Sequence, residues 1–172
     1  MFHVKHRANG EDINESHMEN QTLIVHCAGI DGSGRFLRQH TGRGEDLSPA
    51  FELENLSPKA KALAVTLEDI SHPIRGFTHW VVWNLPASGA IPGGIPGGAS
   101  LPSLGGARQG IGYGLHRYAG PKPPWGSTHK YRFTVYALDD QISLSAHSTK
   151  SAFLRKARGH ILQSGSITGE FE

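Results

Sequence analysis

Cysteine is nearly absent: Cys27 stands alone among 172 residues. No internal disulfide can staple this chain, and no thiolate pair can grip a metal. Cys27 itself, inside the run QTLIVHCA, is expected to be a small buried apolar side chain. Charge of one sign is also scarce in excess, with 17 Lys and Arg against 15 Asp and Glu for a formal net charge of +2. Without a basic run to track phosphates, nucleic acid is not an expected partner. No apolar stretch approaches the roughly 20 residues of a membrane-spanning helix. The N-terminal residues lack the apolar core of a signal peptide, so the expectation is a cytoplasmic protein with no integral membrane association. The motifs G-x-S-x-G, H-E-x-x-H and the P-loop are missing as well, which leaves a nucleophile, a metal or a bound nucleotide without a recognisable seat. The resulting expectation is a protein that is not an enzyme and carries no cofactor or metal.

What is present is 37 % hydrophobic residues, enough for one buried core. Residues 1–20 are polar and aperiodic and read as a loose tail, with 21–172 as a single domain. Strand-like runs bounded by turn formers fall at 21–28, 61–69, 78–85, 129–138 and 166–171. One segment, 148–163, instead spaces Phe153, Ala157 and Ile161 as a helix does. Ser148 or Thr149 is its N-cap, Gly159 weakens its interior, and Gly165 follows its end. The tract 87–117, rich in glycine and proline, is expected to be a long functional loop rather than a linker, because the strands on either side cannot stand alone. The fold class is all-β, a sandwich with a peripheral C-terminal helix.

Side chains alternate faces along a strand, so position alone assigns them a side. Asp69 follows Leu63, Val65 and Leu67 on the apolar face. His79 shares its face with Val81, Trp83 and Leu85. His129 and Tyr131 precede Phe133, Val135 and Ala137. If the strands at 61 and 78 are antiparallel neighbours, Asp69 and His79 meet at one rim. The stiff turn GPKPPWGST would aim His129 and Tyr131 at the same place. Two imidazoles beside glycine-exposed backbone N–H groups hold an anion such as phosphate, while a carboxylate fixes one ring.

Four segments, GEDLSPAF (44–51), EDISHPIRGFTHWVVWNLP (68–86), YAGPKPPWGSTHKYRFTVYALD (118–139) and GHILQSGSITGEF (159–171), resemble the phosphatidylethanolamine-binding proteins, in their bacterial and archaeal Raf-kinase-inhibitor-like branch. The resemblance covers roughly residues 21–172. It implies a Greek-key β-sandwich with a small anion pocket at one rim. Carried over by position, it places Asp69, His79, Tyr118, Gly120, Pro121, Pro123, Pro124, His129 and Tyr131 at that pocket. Ile70 and Ser71 depart from the family's D-P-D-x-P, where only Asp69 and Pro73 match. Ser48 and Pro49 match an S-P pair of structural role, and the glycines of Gln109 to Gly114 are expected to widen the pocket mouth. The function implied is a non-catalytic binding protein for a small anion, a phospholipid headgroup or a phospho-group, regulating a partner protein. Two alternatives stand beside it: an interaction module that inhibits a kinase or protease through the 87–117 loop or the basic face Lys150, Arg155, Lys156 and Arg158, and a small hydrolase using Ser71. An apolar strand edge leaves a homodimer open.

Overall fold

The computed structural model describes residues 22–172; the expected tail at 1–20 lies outside them. Nine strands and one α-helix follow in order. They are β1 (Ile24–Cys27), β2 (Phe51–Glu54), β3 (Ala62–Asp69), β4 (Phe77–Pro86), β5 (Ala90–Ile91), β6 (Ser100–Leu101), β7 (Ala107–Gln109), β8 (His129–Leu138), α1 (Lys150–Ala157) and β9 (Ile161–Phe171). β1, β2 and β5 form a small sheet, and the larger sheet runs β6-β7-β4-β3-β8-β9. Every pairing between named strands is antiparallel.

The core lies between the sheets. Val25, Cys27, Phe51 and Ile91 from the small sheet meet Leu63, Val65, Leu67, Phe133, Val135 and Ala137 from the large one. The alternation along β3 and β8 places these residues inward, as their sequence parity predicts. On the outer face of the large sheet, Ala62, Ala64, Val81, Trp83 and Leu138 pack under Phe153 and Ala157 of α1. That second apolar layer explains why β3 reads as an unbroken buried run rather than an alternating one.

Three expectations need correction. The helix spans only Lys150–Ala157, capped by Thr149, whose hydroxyl accepts from the Ala152 N–H at 3.3 Å. Gly159 lies beyond its end with φ of +85°, a left-handed conformation that glycine adopts without strain. It turns the chain into β9, so Ile161 belongs to a strand, and β9 starts well before residue 166. The tract 87–117 is likewise not a bare loop, since β5, β6 and β7 lie within it and Ile91, Ile95, Leu101 and Ala107 are buried.

The third correction concerns β4. Its register against β3 shifts twice, between Leu63 and Val65 and between Leu67 and Glu68. Each shift reverses the alternation, as an extra residue in a strand must. Trp80 and Val82 therefore face the inter-sheet core while Val81 and Trp83 face α1. Leu67 pairs with Trp80 and Glu68 with Thr78, which leaves His79 as the inserted residue.

Candidate functional site

Asp69, the last residue of β3, and Tyr131, the third of β8, are direct cross-strand partners. Cross-strand partners share a face, and His129 lies two residues earlier on that same face. The result is a hydrogen bond from His129 Nδ1 to Asp69 Oδ2 of 2.7 Å. Asp69 is only 4 % exposed, so its carboxylate requires such partners. It has a second: Oδ1 accepts from the Ser71 N–H at 3.0 Å.

Ser71 thereby acquires a definite role. Its hydroxyl oxygen accepts from the Lys130 N–H at 2.8 Å, and the Ile70 N–H donates to the Lys130 carbonyl at 2.9 Å. These bonds pin the start of β8 to the end of β3. Among the described residues no imidazole hydrogen-bonds the Ser71 hydroxyl, so it lacks the base that a serine nucleophile requires.

His79 reaches the site through the strand insertion. It is 5 % exposed, and its ring meets Tyr131 edge-on at 5.3 Å between centroids and Tyr113 at 5.1 Å. Its Nδ1 lies 2.9 Å from the Ala119 carbonyl; a carbonyl only accepts, so Nδ1 carries the proton. Burial, the largest influence, holds the His79 pKa below its ordinary value, against the opposing pull of the Ala119 carbonyl and Asp69. The Tyr131 ring thus separates a largely neutral imidazole from one paired with a carboxylate. Burial also raises the Tyr131 pKa beyond the accessible range, while the Lys122 backbone and the Arg43 charge oppose that rise.

The turn before β8 is built from its glycine and prolines. A Cβ on Gly120 would collide with the His40 carbonyl and come within 2.8 Å of an Asp46 carboxylate oxygen. Gly120 donates its N–H to that oxygen at 2.7 Å, so this amide is committed and not free for an anion, contrary to expectation. Tyr118, also expected at the pocket, is buried; its hydroxyl donates to the His40 carbonyl at 2.6 Å and its ring packs edge-on against Trp80. Pro121 and Pro123 are buried and Pro124 is exposed. The Pro121 carbonyl accepts from the Gly42 N–H at 2.8 Å and that of Pro124 from the Ser127 N–H at 3.0 Å.

Sequence reading missed Arg43. Its Nη2 donates to the Pro123 carbonyl at 2.7 Å, and its guanidinium lies 3.6 Å from the centre of the exposed Trp125 ring, a cation–π contact. Its Nε is buried with no partner among the described residues. The glycines after Gln109 lie close against β4, where a Cβ on Gly110 would meet Val81 at 2.9 Å and one on Gly112 the Thr78 carbonyl at 3.0 Å. They lay Tyr113 against β4, with N–H bonds from Tyr113 to Thr78 and from Gly114 to His79. Gln109 anchors this segment, accepting from the Trp80 indole at 2.8 Å and donating to the Pro96, Gly98 and His116 carbonyls. The S-P pair is structural, since Ser48 Oγ accepts from the Ile95 N–H at 2.9 Å. Among the described residues no three of His, Cys, Asp and Glu gather as metal ligands, and no helix is long and apolar enough to cross a membrane.

The fold is an antiparallel sandwich with two histidines, a buried aspartate and a proline-stiffened turn close together, and comparison with known sequences supplies the family. The family profile described as phosphatidylethanolamine-binding protein matches residues 29–172. The chain belongs to that family. It is 34 % identical over 152 residues to a UPF0098 protein of Pyrococcus abyssi, covering 87 % of this chain and 85 % of that one. The UPF0098 protein YbhB of Escherichia coli is 34 % identical over 131 residues, 74 % of this chain and 83 % of its own. Among solved structures, E. coli YbcL superposes with a TM-score of 0.75 at 25 % identity, covering 88 % of this chain and 99 % of its own. The homologue CT736 of Chlamydia trachomatis gives the same TM-score and identity, with 88 % and 97 % covered.

Proposed function

We propose that this protein is a non-catalytic binding protein whose rim pocket takes a small oxyanion of the phosphate type. The observation that carries this reading is the Asp69–His129 pair facing His79 across Tyr131. The Asp69 carboxylate fixes the orientation of the His129 ring through Nδ1, and Arg43 adds a positive charge at the turn. Tyr118, Gly120, Pro121, Pro123 and Pro124 serve as the rigid frame of that pocket. Titration with inorganic phosphate or phosphoethanolamine is expected to move the ring protons of His79 and His129 saturably. Replacing either histidine by alanine is expected to abolish binding with the fold intact, and unchanged affinity in both variants would reject the reading.

A second role, contact with a partner protein at the same rim, is favoured by exposed apolar side chains on its loops: Trp125 at 81 %, Ile74 at 63 % and Tyr113 at 56 %. Isolated apolar residues are common at surfaces, but several around one mouth mark an interaction site. A purified kinase or protease bound by the wild type and by His129→Ala, but not by Trp125→Ser, would support that role. Binding unaffected by Trp125→Ser would remove it.

A further inference from the structure

A second pair of imidazoles stands where the segment 109–117 meets the segment 141–149 that leads into α1. Glycine permits the meeting. A Cβ on Gly110 would collide with the Ser148 carbonyl; without one, the backbones approach closely enough for the Ile111 N–H to donate to that carbonyl at 2.9 Å. His116 and His147 are thereby brought together, with ring centres 5.6 Å apart and planes at 78°.

His116 is fixed in place from every side. Its backbone is left-handed, with φ of +53°, a conformation uncommon outside glycine and sustained by its surroundings. Its N–H donates to the Gly110 carbonyl at 3.0 Å, and its carbonyl accepts from the Gly98 N–H at 2.8 Å and the Gln109 side-chain amide at 3.1 Å. The ring gives Nδ1–H to the Gln109 carbonyl at 2.8 Å, since a carbonyl only accepts. A backbone carbonyl on one ring nitrogen is the support that orients metal-bound imidazoles and presents the other nitrogen as ligand. Among the described residues no hydrogen bond engages His116 Nε2 or the His147 ring. Arg117, the adjacent cation, turns away to the Tyr118 carbonyl and Asp46.

The spacing of the rings suits a shared ion. Imidazole nitrogen binds zinc at about 2.0–2.1 Å and lies roughly 1.1 Å from its ring centre, so two ligating rings have centres about 5.2 Å apart at a tetrahedral angle and about 6.3 Å apart when opposed. The observed 5.6 Å falls between these limits. We infer that His116 and His147 form a two-histidine site for a divalent metal ion of the zinc, nickel or copper kind, which imidazole suits. Water completes the coordination, because no third His, Cys, Asp or Glu joins the pair among the described residues. Magnesium and calcium, which take oxygen ligands, are not accepted. A bound ion ties the segment 109–117 to the chain before α1, and the same segment lays Tyr113 against His79.

Zinc chloride tests this by NMR at neutral pH, with the ring protons of both histidines assigned by single substitution. The rings of His116 and His147 are expected to respond along one common saturable curve, and magnesium is expected to leave both unmoved. His147 is exposed on its segment, so His147→Asn keeps the fold. In that variant the His116 ring is expected to need at least tenfold more zinc, the scale of loss when a metal site is dismantled. Zinc is also expected to raise the melting temperature of the wild type more than that of the variant. Rings that respond at different zinc concentrations, or not at all at millimolar zinc, would overturn the shared site. So would a His116 response that His147→Asn leaves unchanged.

Discussion

The Nδ1 of His129 donates to Asp69 Oδ2 at 2.7 Å across a sequence separation of 60 residues. The contact exists because β3 ends at Asp69 where β8 begins, with Ser71 stitching the two ends together. Asp69→Asn preserves size and a hydrogen bond to the His129 ring but removes the carboxylate charge. Phosphate affinity is expected to fall by about tenfold, and stability by about 1–3 kcal/mol, because a buried charged hydrogen bond is weakened. Isothermal titration and a urea melt measure the two effects. Wild-type affinity in the variant would separate the dyad from binding.

Gly120→Ala is expected to destabilise the protein by about 2–4 kcal/mol, the range for forcing an atom into a filled site. The added methyl group meets the His40 carbonyl and the Asp46 carboxylate that hold the turn. Thermal melts would show the loss, and phosphate affinity is expected to decline with it because the turn positions His129. A neutral melting temperature would mean that the turn has room to shift.

Much of this arrangement is legible in the sequence, for reasons that particular residues make plain. Asp69, His129 and Tyr131 lie on strands with regular alternation against one partner, so parity finds them. His79 faces inward by another route than parity implies: an inserted residue reverses β4, sending Val81 and Trp83 to the helix side while His79 joins the core side. Bulges leave no periodic trace. β2, β5, β6 and β7 span only two to four residues each, too few for a period to emerge. Arg43 is invisible for a different reason, since its contact with the Pro123 carbonyl crosses 80 positions and no local pattern encodes it.

Alkaline pH is expected to weaken the fold from about pH 9 upward. Burial pushes the Cys27 thiol from 9.0 up to about 11. Below pH 9 the thiol is neutral in both folded and unfolded chains, and its contribution is fully present. Between there and about pH 11 only the unfolded chain ionises, so stability falls by up to about 1.4 kcal/mol per pH unit from this group. Tyr118 and Tyr131, both raised chiefly by burial, extend the decline. Urea melts of wild type and Cys27→Ala between pH 8 and 11 check it, with a shallower slope expected in the variant. Identical slopes would contradict burial of the thiol as its cause.

Acid acts through His79. Its folded pKa lies below the ordinary 6.5, so the stability it contributes is present above that value and lost as pH falls through the folded pKa. His79→Gln is expected to flatten the acid limb of stability against pH. Melts at pH 7.5 and at steps down to pH 5 measure this, and a limb as steep as the wild type's would assign the acid sensitivity to other groups.

The central claim, an oxyanion pocket between His79 and His129, is tested most directly by following the ring protons of both histidines by NMR as inorganic phosphate is added. Saturable shifts at both rings, absent for the exposed ring of His26, are the predicted result. Rings that stay still at tens of millimolar phosphate, or that shift no more than His26 does, would contradict it.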